Sequence, residues 1–135
     1  MAEDIHFDFG YLYNTLETGI VVPTELWLGT ASVRIRAKVD TGSAFCIFER
    51  LHGENLGLDI ETGIPLRMIT ATGGFLAFGH MVDLSVLGII TGTTVYFAEE
   101  ESFYLNILGR QGWLDRVKLG LIDYEGKLLL SGYGD

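Results

Sequence analysis

Between Ser32 and Asp40 the chain alternates, with Val33, Ile35, Ala37 and Val39 facing one way and Arg34, Arg36 and Lys38 the other. A period of two predicts a half-buried strand. Glu25-Leu26-Trp27-Leu28 just before it reads as a hairpin partner turning at Gly29-Thr30. Further strands are predicted over 64–72 and 75–87 on either side of Gly73-Gly74, over Thr93 to Ala98, and as a short buried run at Leu105-Asn106-Ile107-Leu108. Val117 to Tyr124 and Lys127 to Ser131 flank Glu125-Gly126 as a last hairpin. Helix is scarce: a turn or two within Phe48 to Leu56, and a short piece over Arg110 to Arg116 with Trp113 and Leu114 as its apolar contacts. Residues 1–15 carry Phe7, Phe9, Tyr11 and Tyr13 without a clear period and are expected to form an edge strand or arm. The sum is an all-β, closed-barrel-like domain of short strands with one or two short helices. Its expected bounds are 24–135, with 1–23 as the arm.

Composition narrows the functional classes. The chain has 135 residues, 48% hydrophobic and 20% charged, enough to bury one core. Eighteen glycines against two prolines fit a chain of tight turns. A formal net charge of -9 argues against a nucleic-acid partner, because phosphate binding needs clustered Lys and Arg. The single cysteine, Cys46, forms no intramolecular disulfide and lies in an apolar run, as a buried small hydrophobe does. The acidic start, Met1-Ala2-Glu3-Asp4, lacks the basic and apolar regions of a secretory signal. The most apolar stretch, Leu84 to Ala98, is too short and too polar to span a bilayer. A cytoplasmic protein without a membrane partner is expected. His6, His52 and His80 lack metal-ligand spacing, so neither a metal nor a cofactor is expected. Ser43 lacks a His/Asp pattern and is not expected to act as a nucleophile. Glu99-Glu100-Glu101 reads as a solvated loop.

The chemistry concentrates where the alternating strand ends. Asp40-Thr41-Gly42-Ser43 places a carboxylate at the mouth of a tight turn. The strand holds the Asp, the glycine lets other backbone approach without a Cβ, and the Thr hydroxyl can brace the loop. An ordinary Asx-type turn explains the same four residues. Asp-Thr-Gly occurs by chance in roughly one chain in thirty of this length, so the surroundings decide.

Three stretches in order, Ala37 to Ser43, Ile69 to Phe75 and Asn106 to Arg110, together resemble the retropepsin-like aspartic peptidases, relatives of the retroviral proteases. Ala37-Lys38-Val39-Asp40-Thr41-Gly42-Ser43 resembles their catalytic strand and loop. Ile69-Thr70-Ala71-Thr72-Gly73-Gly74-Phe75 is similar to their flap hairpin, with Gly-Gly-Phe at the tip. Asn106-Ile107-Leu108-Gly109-Arg110 resembles their second signature, in which Ile107, Leu108 and Gly109 pack beside the catalytic loop and an Arg follows. Gln111-Gly112-Trp113-Leu114-Asp115-Arg116 is similar to bacterial members. The resemblance implies the acid protease (retropepsin) fold and an aspartic endopeptidase that needs no cofactor. It implies Asp40, Thr41 and Gly42 as catalytic-loop residues, and Ser43, Thr72, Gly73, Gly74 and Phe75 as substrate-binding residues. Val39, Ile47 and Leu76 are further candidate pocket walls, with ordinary core packing the favoured reading of each.

One carboxylate cannot both activate water and protonate a carbonyl oxygen, whereas two that share a proton can. The chain holds a single Asp-Thr-Gly. The implied site is therefore completed by a second copy, a homodimer whose two Asp40 residues meet on a twofold axis above a peptide or protein substrate. The alternative is a catalytically silent module of the same fold that binds peptides or dimerises. The intact motif favours the enzyme, since a buried carboxylate is costly to keep without a use. Three features depart from the retroviral pattern. Ser43-Ala44-Phe45 lacks the acidic residues usual there, which leaves Arg110 without its customary partner unless Glu49 or Glu99 to Glu101 replaces it. The C-terminal hairpin also suggests that the dimer closes differently.

Overall fold

The computed structural model describes residues 5–71 and 73–133. Among these residues ten strands run in the order β1 (Phe9–Leu12), β2 (Val21–Leu28), β3 (Ala31–Val39), β4 (Ile47–Phe48), β5 (Ile64–Thr70), β6 (Gly73–Val86), β7 (Ile89–Ala98), β8 (Ile107–Leu108), β9 (Val117–Ile122) and β10 (Lys127–Gly132). One α-helix, α1 (Arg50–Asn55), follows β4, and 3-10 turns cover Ile60–Thr62, Leu114–Arg116 and Asp123–Glu125. The second of these turns is all that forms of the helix expected over Arg110 to Arg116.

Seven strands lie in the order β2-β3-β8-β4-β7-β6-β5, and a further β2–β6 pairing closes six of them into a ring with β5 outside it. This is the closed barrel that the strand pattern predicts. The alternation in β3 is carried out: Ile35 and Ala37 are buried while Ser32, Arg34 and Arg36 are exposed. Its partner β2 buries Val22, Thr24 and Leu26. The two strands turn through Gly29 at φ +61°, a conformation that costs glycine little at the first position of a two-residue hairpin. The β6–β7 hairpin is less relaxed. It pairs Val86 with Ile89 across Leu87 at φ +51° and Gly88 at φ +86°, and a leucine rarely adopts that backbone. Leu87 also packs on the core, which offsets the strain.

Trp113, Phe48, Phe97, Leu26, Ile60, Leu84 and Leu108 fill the barrel interior. Each such side chain contributes roughly 1.5–3 kcal/mol by leaving water. A second sheet, in the order β1-β10-β9, covers one side of the barrel with Leu128 and Leu130 buried. The aromatic N-terminal segment thus contains an edge strand. It is anchored where the Tyr13 amide donates to the Gly126 carbonyl and the Tyr13 hydroxyl donates to Asp123. That bond to Asp123 pushes the phenol up to about 12.

The flap-like hairpin differs from the expectation. The register sets Thr70 opposite Gly73 and Ile69 opposite Gly74, so both glycines belong to β6 and the turn, which includes Ala71, falls before them. The glycines serve the ladder. Gly73 has φ +138°, and a Cβ on Gly74 would sit 3.0 Å from the Met68 carbonyl oxygen. Thr72 lies outside the described residues.

Candidate active site

Two chain segments cross beneath the cleft, and backbone hydrogen bonds stitch them together. Lys38 N donates to Asn106 O (2.8 Å), Asp40 N to Leu108 O (3.0 Å), Arg110 N to Ser43 O (2.9 Å) and Gln111 N to Ala44 O (2.9 Å). The parallel pairing of Lys38 with Ile107 and Val39 with Leu108 continues the same seam. Gly109 makes the crossing possible: a Cβ there would overlap the carbonyl oxygen of Phe45 and come within 2.8 Å of that of Ser43. Leu108, fully buried, anchors the second segment in the core, and Ile107 reaches the cleft.

The loop at Asp40 is held from within. Asp40 Oδ1 accepts from the amide of Gly42 (2.9 Å), and the Asp40 carbonyl accepts from the amide of Ser43 (3.1 Å). Ser43 Oγ donates to the carbonyl of Phe45 at 2.8 Å. One carboxylate oxygen of Asp40 therefore has a fixed direction at the end of a rigid strand. Thr41, at the tip, is exposed and makes no hydrogen bond among the described residues. Cys46 lies under the loop, fully buried, where its sulfur accepts from the Gly109 amide at 3.4 Å. Burial pushes its thiol up to about 11, so it behaves as the inert apolar residue expected.

Asp40, Gly42 and Ser43 face β5 and the start of β6 across a cleft of about 770 Å3. Gly73, Gly74, Phe75 and Ile47 line it as well. Val39 and Leu76 do not line it and pack at the edge of the core instead. The structure adds lining residues that sequence reading passed over: Arg67, Met68 and Ile69 on β5, and Phe103 and Leu105 on the loop after β7. The Phe103 ring packs on Phe75 with centroids 4.8 Å apart, joining that loop to the turn end of the hairpin. The sequence signal for it is an apolar stretch, Phe103-Tyr104-Leu105, that follows the acidic cluster with Ser102 in between.

Arg110 projects into solvent beside Ala44 and finds no carboxylate among the described residues. Neither suggested substitute reaches it. Glu49 accepts from Asn106 Nδ2 at 2.8 Å, and Asn106 Oδ1 in turn accepts from the Glu49 amide, which ties the second segment to the start of α1. Glu99 is held by its amide on Leu76, and its carbonyl accepts from Arg50. Among the described residues no three His, Cys, Asp or Glu side chains converge as metal ligands would. His80 instead sits 2.8 Å from the carbonyl of Ile60. No helix among them is long and apolar enough to cross a membrane.

No family model matches the chain, and no curated protein matches it. Among solved structures it is similar to a retropepsin-like aspartic protease from Rickettsia conorii. The TM-score is 0.67 at 19% identity, covering 91% of this chain and 97% of that one. The chain has the fold of the retropepsin-like aspartic proteases.

Proposed function

We propose that the protein is an aspartic endopeptidase whose catalytic unit is a homodimer, with one Asp40 from each chain. The observation that carries this reading is the Asp40 carboxylate, braced by the Gly42 amide at one wall of a mostly apolar cleft that faces a flap-like hairpin. Three further features support it. The chain offers one such aspartate, the exposed Thr41 is available to brace a second loop, and a related fold belongs to a protease.

In the proposed reaction two Asp40 carboxyls share one proton, because like charges about 3 Å apart cannot both ionise. The ionised one takes a proton from water as the water oxygen bonds to the peptide carbonyl carbon. The protonated one gives its proton to the carbonyl oxygen, forming a neutral gem-diol. Collapse breaks the C–N bond: the carboxyl that now holds a proton gives it to the leaving nitrogen, while the ionised one takes the proton of a gem-diol hydroxyl as its oxygen re-forms the carbonyl, so the products are an acid and an amine and the pair again holds one proton. The pH profile belongs to the pair rather than to either residue. An extended substrate would lie along β5 and the start of β6, using main-chain hydrogen bonds as an added strand does.

The test is peptide hydrolysis by purified dimer across a broad library between acid and neutral pH. Cleavage at mildly acidic pH is expected, blocked by a statine-type transition-state mimic and reduced at least about a thousandfold by Asp40→Asn. A well-folded dimer that cleaves nothing over that range would leave a silent peptide-binding module as the better account.

A further inference from the structure

Two of the residues that line the cleft carry charge, Asp40 and Arg67. Arg67 lies in β5, opposite Leu76 of β6, and its stem runs over Gly74, whose missing Cβ would fall 4.0 Å from Arg67 Cγ. The protein has six arginines in a chain of net charge -9, and four of them are ion-paired: Arg34 with Glu25, Arg36 with Glu17, Arg50 with Glu54 and Glu61, and Arg116 with Asp115. Arg67 has no carboxylate partner among the described residues despite an excess of acid around it. Glu99 follows on the same row across Leu76, yet it makes no ion pair with Arg67. Its neighbours in the lining along β5, β6 and the loop after β7 include the apolar Met68, Ile69, Phe75 and Phe103.

We infer that Arg67 is a specificity-determining residue that selects peptides carrying an Asp or Glu side chain within a few positions of the scissile bond. The inference rests on the peptidase reading for the word scissile, but its physical content is recognition of a carboxylate by the cleft. A bound peptide would exclude water between β5 and the Asp40 loop. A guanidinium–carboxylate pair made there is charge-assisted and can be bidentate, so it is stronger than the same pair on open surface. Asp40 sets the limit on the other side. A substrate carboxylate next to the scissile bond would meet the negative catalytic pair, so the preferred acid lies where Arg67 reaches and Asp40 does not. The overall negative charge repels acidic peptides at long range, but salt screens that field beyond about 8 Å, and the local cation decides the outcome inside the cleft.

The experiment compares peptides that differ only by Glu or Gln at each position around the cleaved bond. Wild type is expected to favour Glu about tenfold in kcat/KM at one position, a difference of about 1.4 kcal/mol. Arg67→Gln should abolish that preference, Arg67→Lys should keep part of it, and Arg67→Glu should turn it toward Lys. Cleavage with equal rates for Glu and Gln at every position, unchanged in Arg67→Glu, would overturn the inference while leaving the peptidase intact. A second arm measures binding of the same fluorescent peptides to Asp40→Asn protein, which needs no turnover. If wild type cleaves nothing, yet Glu peptides bind about tenfold tighter than Gln peptides and lose that margin in Arg67→Gln, the carboxylate site stands and the peptidase reading falls. Equal binding of both peptides, or none of either, sinks the carboxylate site.

Discussion

Gly109 is the residue on which the proposed chemistry depends without taking part in it. Its amide donates to the Cys46 sulfur, and its Cα faces the carbonyls of Ser43 and Phe45 with no room for a methyl. Both obstacles are backbone, so a methyl cannot be accommodated by turning a side chain. Gly109→Ala should push the two crossing segments apart and cost about 3 kcal/mol, the upper range for overpacking a tight core. The displaced segment is the one that receives the Asp40 amide, so peptide cleavage should fall further than the loss of folded protein explains. Denaturant titration together with hydrolysis measured well below the melting temperature checks both parts; wild-type stability would show that the crossing has slack. Nothing about Gly109 as a single letter announces this role. It was legible because Ile107 and Leu108 precede it and Arg110 follows, in a signature that resembles the one packing beside a catalytic loop. The role of Arg67 left no such trace, since an arginine in a strand reads as a solvated edge until the fold sets it against Asp40.

At the scale of elements, what the sequence could and could not convey follows from which physics was local. The alternation of β3 and the hairpin at Gly29 are local, and both form as expected. The turn of the β5–β6 hairpin was placed at Gly73-Gly74 because glycine favours turns. The register decides otherwise, since close approach to Met68 and the φ of Gly73 also demand glycine inside a ladder. Equally hidden was the polar link that Arg50 makes between α1, the turn at Ile60–Thr62 and the loop after β7. Its guanidinium donates to Glu61 through both terminal nitrogens at 2.6 and 2.8 Å, to Glu54 through Nε at 3.1 Å and to the Glu99 carbonyl at 3.1 Å. The Arg50 hydrogen bond lowers Glu61 below its ordinary 4.5. A depressed carboxylate contributes stability above its unfolded pKa and loses it as pH falls through the folded one. Glu61→Gln should therefore lower the melting temperature by a few degrees at neutral pH. The gap to wild type should stay constant down to about pH 5 and close as the solution becomes more acidic than about pH 4. Melting curves of the two proteins across that range are the measurement; a gap that widens in acid would mean Glu61 is not held by its charge. The window matters because mildly acidic pH is where the proposed peptidase works, and the strut should survive there.

For the whole molecule, the proposed homodimer raises the question of how two copies would meet. The last strand is not available for a shared sheet, because β10 lies between β1 and β9 and both its edges are filled from within the chain. The outer edges of β1, β9 and β5 are the places where a second copy could extend a sheet. Electrostatics opposes the meeting: two chains of -9 together carry -18. Like-charged partners repel over the Debye length, about 30 Å at 0.01 M salt and about 8 Å at 0.15 M. Association of this protein should therefore tighten several-fold as salt rises from about 0.01 to about 0.15 M, against the usual weakening of interfaces built on opposite charges. Sedimentation equilibrium at several protein concentrations reads the dimer constant directly. Hydrolysis of a neutral peptide should follow it, with activity per chain rising with concentration at low salt and levelling at high salt. A neutral peptide is essential, since an acidic one would lose its attraction to Arg67 over the same range and mask the gain. A dimer that weakens with salt would mean that opposite charges across the interface outweigh the net repulsion. Arg110, exposed and without a carboxylate of its own among the described residues, would then be the first residue to reverse in charge.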